Sequence, residues 1–325
     1  MKQMIHFNRY LYIASLCLLT AACGDDNSQT AGLTADEPVP LQLGSLSIEG
    51  TTQTRATTTI PAGEVISVGA VESASPNTMW FHHEPYGLNK DSKWGPITPA
   101  NTVYLTSKDV DLYIYYPWGK AISSITGGGT GFNTTQNTYQ ALANPYAKNR
   151  DICFAKITSV NAKSQPSSAT TLKRILTRWK IKIKRKNYPG EGKVNSVGLD
   201  HTHQCFQFSP QTGAWTGITI TGASTSTGVS SPGYILPATG EAIEVADCLV
   251  PALSGCINQI RIMIDNISYN ITGTALSSMK YVAGTSYDIT FVLNGTKLVL
   301  GTMTITDWDS KIESGVTPAW PSATR

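Results

Sequence analysis

Apolar and polar residues alternate along many short stretches of this chain, and very few stretches carry a helical period. The alternation is clearest near the end. Tyr287, Ile289, Phe291 and Leu293 take every second position, Asn294-Gly295 supplies a turn with positive φ, and "KLVLGTMTI" returns. This pattern predicts a terminal hairpin. In "VDLYIYYPW", Val110, Leu112, Ile114 and Tyr116 fall on one face, and Pro117 ends the run. Further on, Trp179, Ile181 and Ile183 alternate with Lys180, Lys182 and Lys184. That predicts a half-exposed strand whose lysine face discourages unwanted edge pairing. Just before it, Leu172, Ile175, Leu176 and Trp179 recur at helical spacing, which predicts a short helical turn.

A first strand is expected over Leu41–Glu49, kinked near Gly44 because the apolar phase slips there. "EVISVGAV" supplies the next one. Others are expected at Gly217–Thr221, Ala242–Asp247, Ile257–Asp265 and Ile267–Ile271. "HHEP" (His82 to Pro85) and "TGGGTGF" (Thr126 to Phe132) read as loops. The second lacks the Gly-Lys-Ser/Thr ending of a phosphate-binding loop. A Ser-, Ala- and Thr-rich stretch near residues 160–170 breaks the pattern and marks a domain boundary. Many short strands, frequent Gly, Pro and Asn turns and hardly any helix predict an all-β chain. Two antiparallel β-sandwiches in tandem are expected, over 41–160 and 165–308, followed by a tail over 309–325.

The N-terminus has a different character. Lys2 and Arg9 precede an apolar core, Leu11 to Leu19, that is too short to span a bilayer and has the layout of a secretory signal over residues 1–22. The "TAAC" that ends at Cys23 resembles a lipobox, in which the cysteine is acylated, for example with palmitate, and becomes the new N-terminus. Thr20 departs from the aliphatic residue usual at its position. The "GDDN" that follows resembles the export signal of Bacteroidetes surface lipoproteins, and residues 23–40 read as a polar tether. Without residues 1–22 the net charge is +1 (23 − 22), with no basic stripe to attract nucleic acid. Membrane contact is expected only through the lipid. Charged residues make up just 14% of the chain, which suits an exported β protein more than a cytosolic enzyme.

Candidate chemistry is sparse. Cys153, Cys205, Cys248 and Cys256 fit no zinc template, and Cys248 with Cys256 is the one locally plausible disulfide, buried free thiols being the alternative. In "LDHTHQCF", His201, His203 and Cys205 would share one face of a strand, beside Asp200, within reach of a metal ion. No fourth ligand is visible, so neither a metal nor any other cofactor is expected. There is no nucleophile elbow, no His-Glu-x-x-His and no nameable carboxylate dyad, hence no catalytic residue and no enzyme. Trp80, Trp94, Trp118, Trp179, Trp215, Trp308 and Trp320 could stack on sugars, but most sit at strand ends, where packing is the usual role. In "TTQTRATTTIPAGE", Arg55 stands alone in a threonine run. It is either a bland loop residue or the point where a trypsin-like protease cuts an exposed, flexible loop.

Taken in order, the lipobox at Cys23, a first strand followed by "TRATTT", then "PAGEVISV", "YIYYPW", "TLKRILTRWKIKIK" and a last strand from "YDITFVL" to "ITDW" resemble the fimbrillins, the type V pilus subunits of Bacteroidales. Thr177-Arg178 departs from the histidine that the family often carries there. The resemblance implies two transthyretin-like sandwiches, a lipoprotein precursor at the outer membrane, and a place in a surface fimbrium that supports adhesion. It also implies cleavage after Arg55 by an arginine-specific protease, loss of Leu41–Glu49, and donor-strand exchange with other fimbrial subunits. Cleavage would sever the lipid anchor and take the net charge to +5 (22 − 17). The donor expected is the tail from Asp309 to Arg325, with Ile312, Val316 and Trp320 as anchors and Pro318 and Pro321 limiting its pairing. A host or bacterial surface ligand is a further expected partner. The alternatives are an uncut anchor subunit and a surface glycan-binding lipoprotein.

Overall fold

The computed structural model describes residues 37–49, 57–75, 79–118, 131–133, 138–141, 144–145, 151–166, 169–203, 205–209, 212–218, 226–272, 276 and 281–308. These residues are almost wholly strands and turns, so the chain is all-β as expected. In the first half eight strands form one sheet. Their spatial order is Thr57–Thr59, Leu46–Glu49, Thr170–Arg174, Cys153–Val160, Val110–Tyr116, Val65–Glu72, Met79–Leu88 and Trp94–Pro96. The sheet encloses a core that includes Ile66, Val68, Tyr86, Leu112, Ile114 and Leu172.

Val110–Tyr116 shows how the halves are joined. Val110, Leu112, Ile114 and Tyr116 point into the first core, as their alternation requires. Tyr113 and Tyr115, on the other face, are buried in the core of the second half. Covered on both faces, the strand reads as a nearly continuous apolar run. Phe154 lies on that shared side, its ring centroid 5.2 Å from Tyr115 and 5.5 Å from Phe208.

The second half is a sandwich. Its five-stranded sheet runs Asn144–Pro145, Ala242–Pro251, Leu176–Lys186, Thr285–Asn294, Lys297–Asp307. The facing sheet runs Ser226–Ser230, Val194–His201, Ile257–Ile264, Ile267–Thr272. Trp179, Ile181 and Ile289 from one sheet meet Val197, Ile260 and Ile262 from the other in a single core. A small four-stranded sheet draws on both halves, in the order Ala214–Ile218, Cys205–Ser209, Thr138–Ala141, Gly131–Asn133. Thr138–Ala141 and Asn144–Pro145, inside the range assigned to the first sandwich from sequence, thus pair with strands of the second, and Thr170–Arg174, inside the range assigned to the second, pairs within the first sheet. All described residues fall within one compact unit.

Several expectations need correction. The Leu172–Trp179 stretch is not a helical turn: Thr170–Arg174 and Leu176–Lys186 are strands, interrupted only at Ile175. Leu172 faces the first core, while Ile175, Leu176 and Trp179 face the second. The chain crosses between two cores here, and the change of phase imitates a helical period. The lysine strand is no edge strand but the middle of five. Its lysines meet acidic neighbours: Lys180 lies in register with Asp247 and Asp288, and Lys182 Nζ is 2.9 Å from Asp288 Oδ2. "HHEP" belongs to the strand Met79–Leu88, and Gly131 and Phe132 of the glycine-rich run are in a strand. Among the described residues two pairings are parallel within the otherwise antiparallel arrangement: Leu46–Glu49 with Thr170–Arg174, and Leu176–Lys186 with Thr285–Asn294. Cys153, Cys248 and Cys256 are buried free thiols. The Cys248–Cys256 pair is not formed; the two thiols donate to separate carbonyls, of Trp179 and Pro251.

Candidate functional site

The segment from Val39 to Glu49 has no single partner strand. Val39–Pro40 pairs antiparallel with Tyr104–Leu105. The Leu41 N–H donates to the Val103 carbonyl at 2.8 Å, and Leu43 exchanges both of its main-chain bonds with Trp94 at 3.0 Å. The chain then changes neighbours at Gly44-Ser45, where the sequence pattern slips. Leu46–Glu49 runs parallel to Thr170–Arg174 on one side and antiparallel to Thr57–Thr59 on the other. Trp94 and Thr170–Arg174 lie in opposite parts of the eight-stranded sheet. This one segment therefore staples the two parts together.

Side chains fix it more firmly than main-chain bonds do. Leu41, Leu43, Leu46 and Ile48 are all buried in the first core, beside Ile60, Tyr86, Trp94, Val103 and Leu172. At about 1.5–3 kcal/mol for each fully buried aliphatic side chain, the four contribute roughly 6–12 kcal/mol. That is comparable to the net stability of a whole domain, about 5–15 kcal/mol. Gln165 clamps the segment from outside: its Nε2 donates to the Pro40 carbonyl and its Oε1 accepts from the Gln42 N–H, at 3.3 and 3.2 Å. Beneath it, the Tyr86 hydroxyl accepts from the Val103 N–H at 3.0 Å. Burial pushes that phenol up to about 12, partly offset by the Val103 bond. Removing the segment would leave an apolar trough between Trp94 and Thr170–Arg174, bordered by unpaired N–H and C=O groups on both sides.

Glu49 and Thr57 are paired across the end of this hairpin, so the connection carrying Arg55 departs from and returns to the sheet's edge. Arg55 itself, Cys23, and the tail anchors Ile312, Val316 and Trp320 lie outside the described residues.

The histidine cluster is dispersed by a turn. His201 ends one strand, Thr202 and His203 form a bend, and Cys205 begins a strand of another sheet, so the three do not share one face. His201 is buried with its ring edge-on to Phe206, and burial pushes its imidazole down to about 4 against a smaller upward pull from Asp200. His203 lies against Phe206 and over Gly217, where a side chain would collide with it. Trp94, Trp179, Trp215 and Trp308 are buried in the cores, and Trp118 is exposed. The Trp80 side chain and Trp320 lie outside the described positions. Sequence reasoning missed Gln165, which sat in the stretch read as a domain boundary, and Trp94, whose main-chain partner is far away in the chain.

With its first strand buried and its sheets packed face to face, the chain is an all-β protein of the β-sandwich class. The chain belongs to the fimbrillin-like family, whose profile matches residues 54–308, from one residue before Arg55 to Trp308. A fimbrial, cell-surface role follows from that membership. Among solved structures, the chain is similar to a putative cell adhesion protein from Bacteroides ovatus. The two are 16% identical with a TM-score of 0.52, covering 86% of this chain and 100% of the other. It is also similar to a putative cell adhesion protein from Bacteroides uniformis, at 14% identity and TM-score 0.48, covering 83% and 99%. The fimbrial anchor protein Mfa2 from Porphyromonas gingivalis is 11% identical with a TM-score of 0.41, covering 83% and 98%. No curated protein matches the chain.

Proposed function

We propose that this protein is a structural subunit of an adhesive fimbrium, assembled by protease-triggered donor-strand exchange. In this reading it is exported as a lipoprotein acylated at Cys23 and cut after Arg55 by an arginine-specific protease. The strand Leu41–Glu49 then leaves, and the tail of another subunit, with Ile312, Val316 and Trp320 as anchors, takes its place. The observation that carries the proposal is the burial of Leu41, Leu43, Leu46 and Ile48 in a trough bordered by two different strands. Loss of a strand so placed leaves both an apolar groove and free main-chain edges, the arrangement that accepts an extended peptide. Cleavage alone does not empty the groove, because main-chain pairing and the Gln165 clamp survive it. A competing strand is needed to displace the old one. The division into sandwiches over 41–160 and 165–308 is part of the same proposal, with Thr138–Ala141 and Asn144–Pro145 lent to the second half and Thr170–Arg174 lent to the first. Trp94, Trp179, Trp215 and Trp308 are buried and so take no part in the glycan-binding alternative, which among the described tryptophan side chains is left with Trp118.

The test is the N-terminus of the assembled protein. Mass spectrometry of surface-sheared fimbriae should find the chain beginning at Ala56, with no acyl group attached. Assembled protein that still begins at acylated Cys23 would contradict processing and favour an uncut anchor subunit.

A further inference from the structure

The last strand, Lys297–Asp307, is the outermost of its sheet, and among the described residues nothing pairs with its free edge. Its neighbour Thr285–Asn294 sends Tyr287, Ile289, Phe291 and Leu293 into the second core. The residues directly opposite them are Ile305, Met303, Leu300 and Leu298. Opposite residues in an antiparallel pair share a face, so these four also point to the core side. The facing sheet does not cover them all: Ile305, Met303 and Leu300 are 59%, 41% and 46% exposed.

Gly301 is the reason both halves of the strand face the same way. The register slips between Thr290 and Phe291, so Gly301 is an extra residue, placed where a side chain would strike Val292 and the Thr290 carbonyl. The bulge restores Leu300 and Met303 to one face although they are an odd number of positions apart. No residue from Leu298 to Thr306 is charged or proline, so apart from the bulge itself the edge lacks the usual devices against strand addition.

We propose that this edge is a self-association surface whose partner is the same strand of a second copy, joined antiparallel about a two-fold axis. With Gly301 opposite Thr302, Leu298 lies opposite Ile305 and Leu300 opposite Met303, all on the core-facing side. Without the bulge, the same register would set apolar residues against the wrong face of their partners. The pattern is thus self-complementary, as an isologous contact requires. Pairing at one edge buries less than the roughly 1,200 Å² of ordinary stable interfaces, so the dimer is weak and concentration-dependent. It is lateral, and it does not depend on cleavage or on the trough near Trp94.

The test uses the non-lipidated chain carrying Arg55→Ala, so that the contact is measured apart from processing. Sedimentation equilibrium should show a reversible monomer–dimer equilibrium. Met303→Lys with Ile305→Lys should weaken it at least tenfold while the melting temperature stays within a few degrees. Thr302→Cys should form a disulfide-linked dimer under mild oxidation, and Thr306→Cys should not. A chain that stays monomeric at every accessible concentration overturns the proposal. So does a dimer unaffected by the two lysines, or one that vanishes when residues 309–325 are removed, since the tail would then be the contact. The first two outcomes leave donor-strand exchange untouched, since it needs the Arg55 cut, whereas a tail-dependent contact in this uncut chain would count against the exchange as well.

Discussion

The first and last strands are held in opposite ways. Leu46–Glu49 pairs over only a few residues with each neighbour, yet every large apolar side chain from Leu41 to Ile48 is buried. Lys297–Asp307 pairs along nearly its whole length with Thr285–Asn294, yet it leaves Leu300, Met303 and Ile305 exposed. Main-chain pairing is easily exchanged for pairing with another strand, whereas a filled trough can be emptied only if something equally apolar refills it. The first strand could therefore leave only if another apolar strand took its place. The last strand is firmly attached and still has a face to offer.

The contrast can be broken at its strongest point first. Leu43→Ala with Ile48→Ala should destabilise the uncut protein by roughly 4–10 kcal/mol, taking 2–5 for each buried aliphatic truncation. Chemical denaturation should show loss of the first core; a change below about 1 kcal/mol would mean that the strand does not complete it.

Next is the junction between the cores, where Arg174 donates to Asp151 at 3.0 Å and lies 4.9 Å from the Trp308 ring. Burial raises the Asp151 carboxyl, and the Arg174 charge opposes that rise. Arg174→Ala strands a buried carboxylate and should cost about 3–5 kcal/mol in the same assay. Asp151→Asn added to it should recover part of the loss.

A pH titration addresses the second half. His201 has a folded pKa of about 4 against an ordinary 6.5, so below pH 6.5 the unfolded chain binds the extra proton. Stability contributed by the neutral imidazole is complete above pH 6.5 and falls as pH drops toward 4, by about 3 kcal/mol in all. His201→Leu should flatten that slope in urea titrations; an unchanged slope would assign it to the carboxylates.

The smallest effects are expected where the last strand differs most from the first. Ile305→Thr, on an exposed position, should change the stability of the monomer by less than about 0.5 kcal/mol. The exposed Lys173–Glu49 pair, at 3.6 Å, should matter as little, so Lys173→Ala should leave the first strand in place by hydrogen exchange.

Period-two alternation made the strands around Ile114, Ile181 and Ile289 readable from the chain alone, because each has one face fully in a core. It failed where a residue run serves two cores, as at Leu172–Trp179, since burial on changing faces has no fixed period. It failed at "HHEP" because proline and paired histidines look like loop residues, although Pro85 is accommodated in a strand. The kink at Gly44 was visible as a slip of phase, but its partners were not. Trp94 and Thr171 are brought to this segment by long-range pairing, which leaves no local trace. The His201–Cys205 run looked like one strand because alternation says nothing about a chain that turns from one sheet into another.

Exchange of the first strand is the step on which the proposed fimbrial assembly by this chain depends. Mild trypsin treatment followed by size-exclusion chromatography measures this directly, comparing wild type, Arg55→Ala and a chain ending at Asp309. Oligomers larger than a dimer, with the Leu41–Arg55 piece released, should come from cut wild type alone. If Arg55→Ala assembles as well as wild type, or if the cut protein keeps its first strand and stays monomeric in the presence of intact tails, the exchange does not occur.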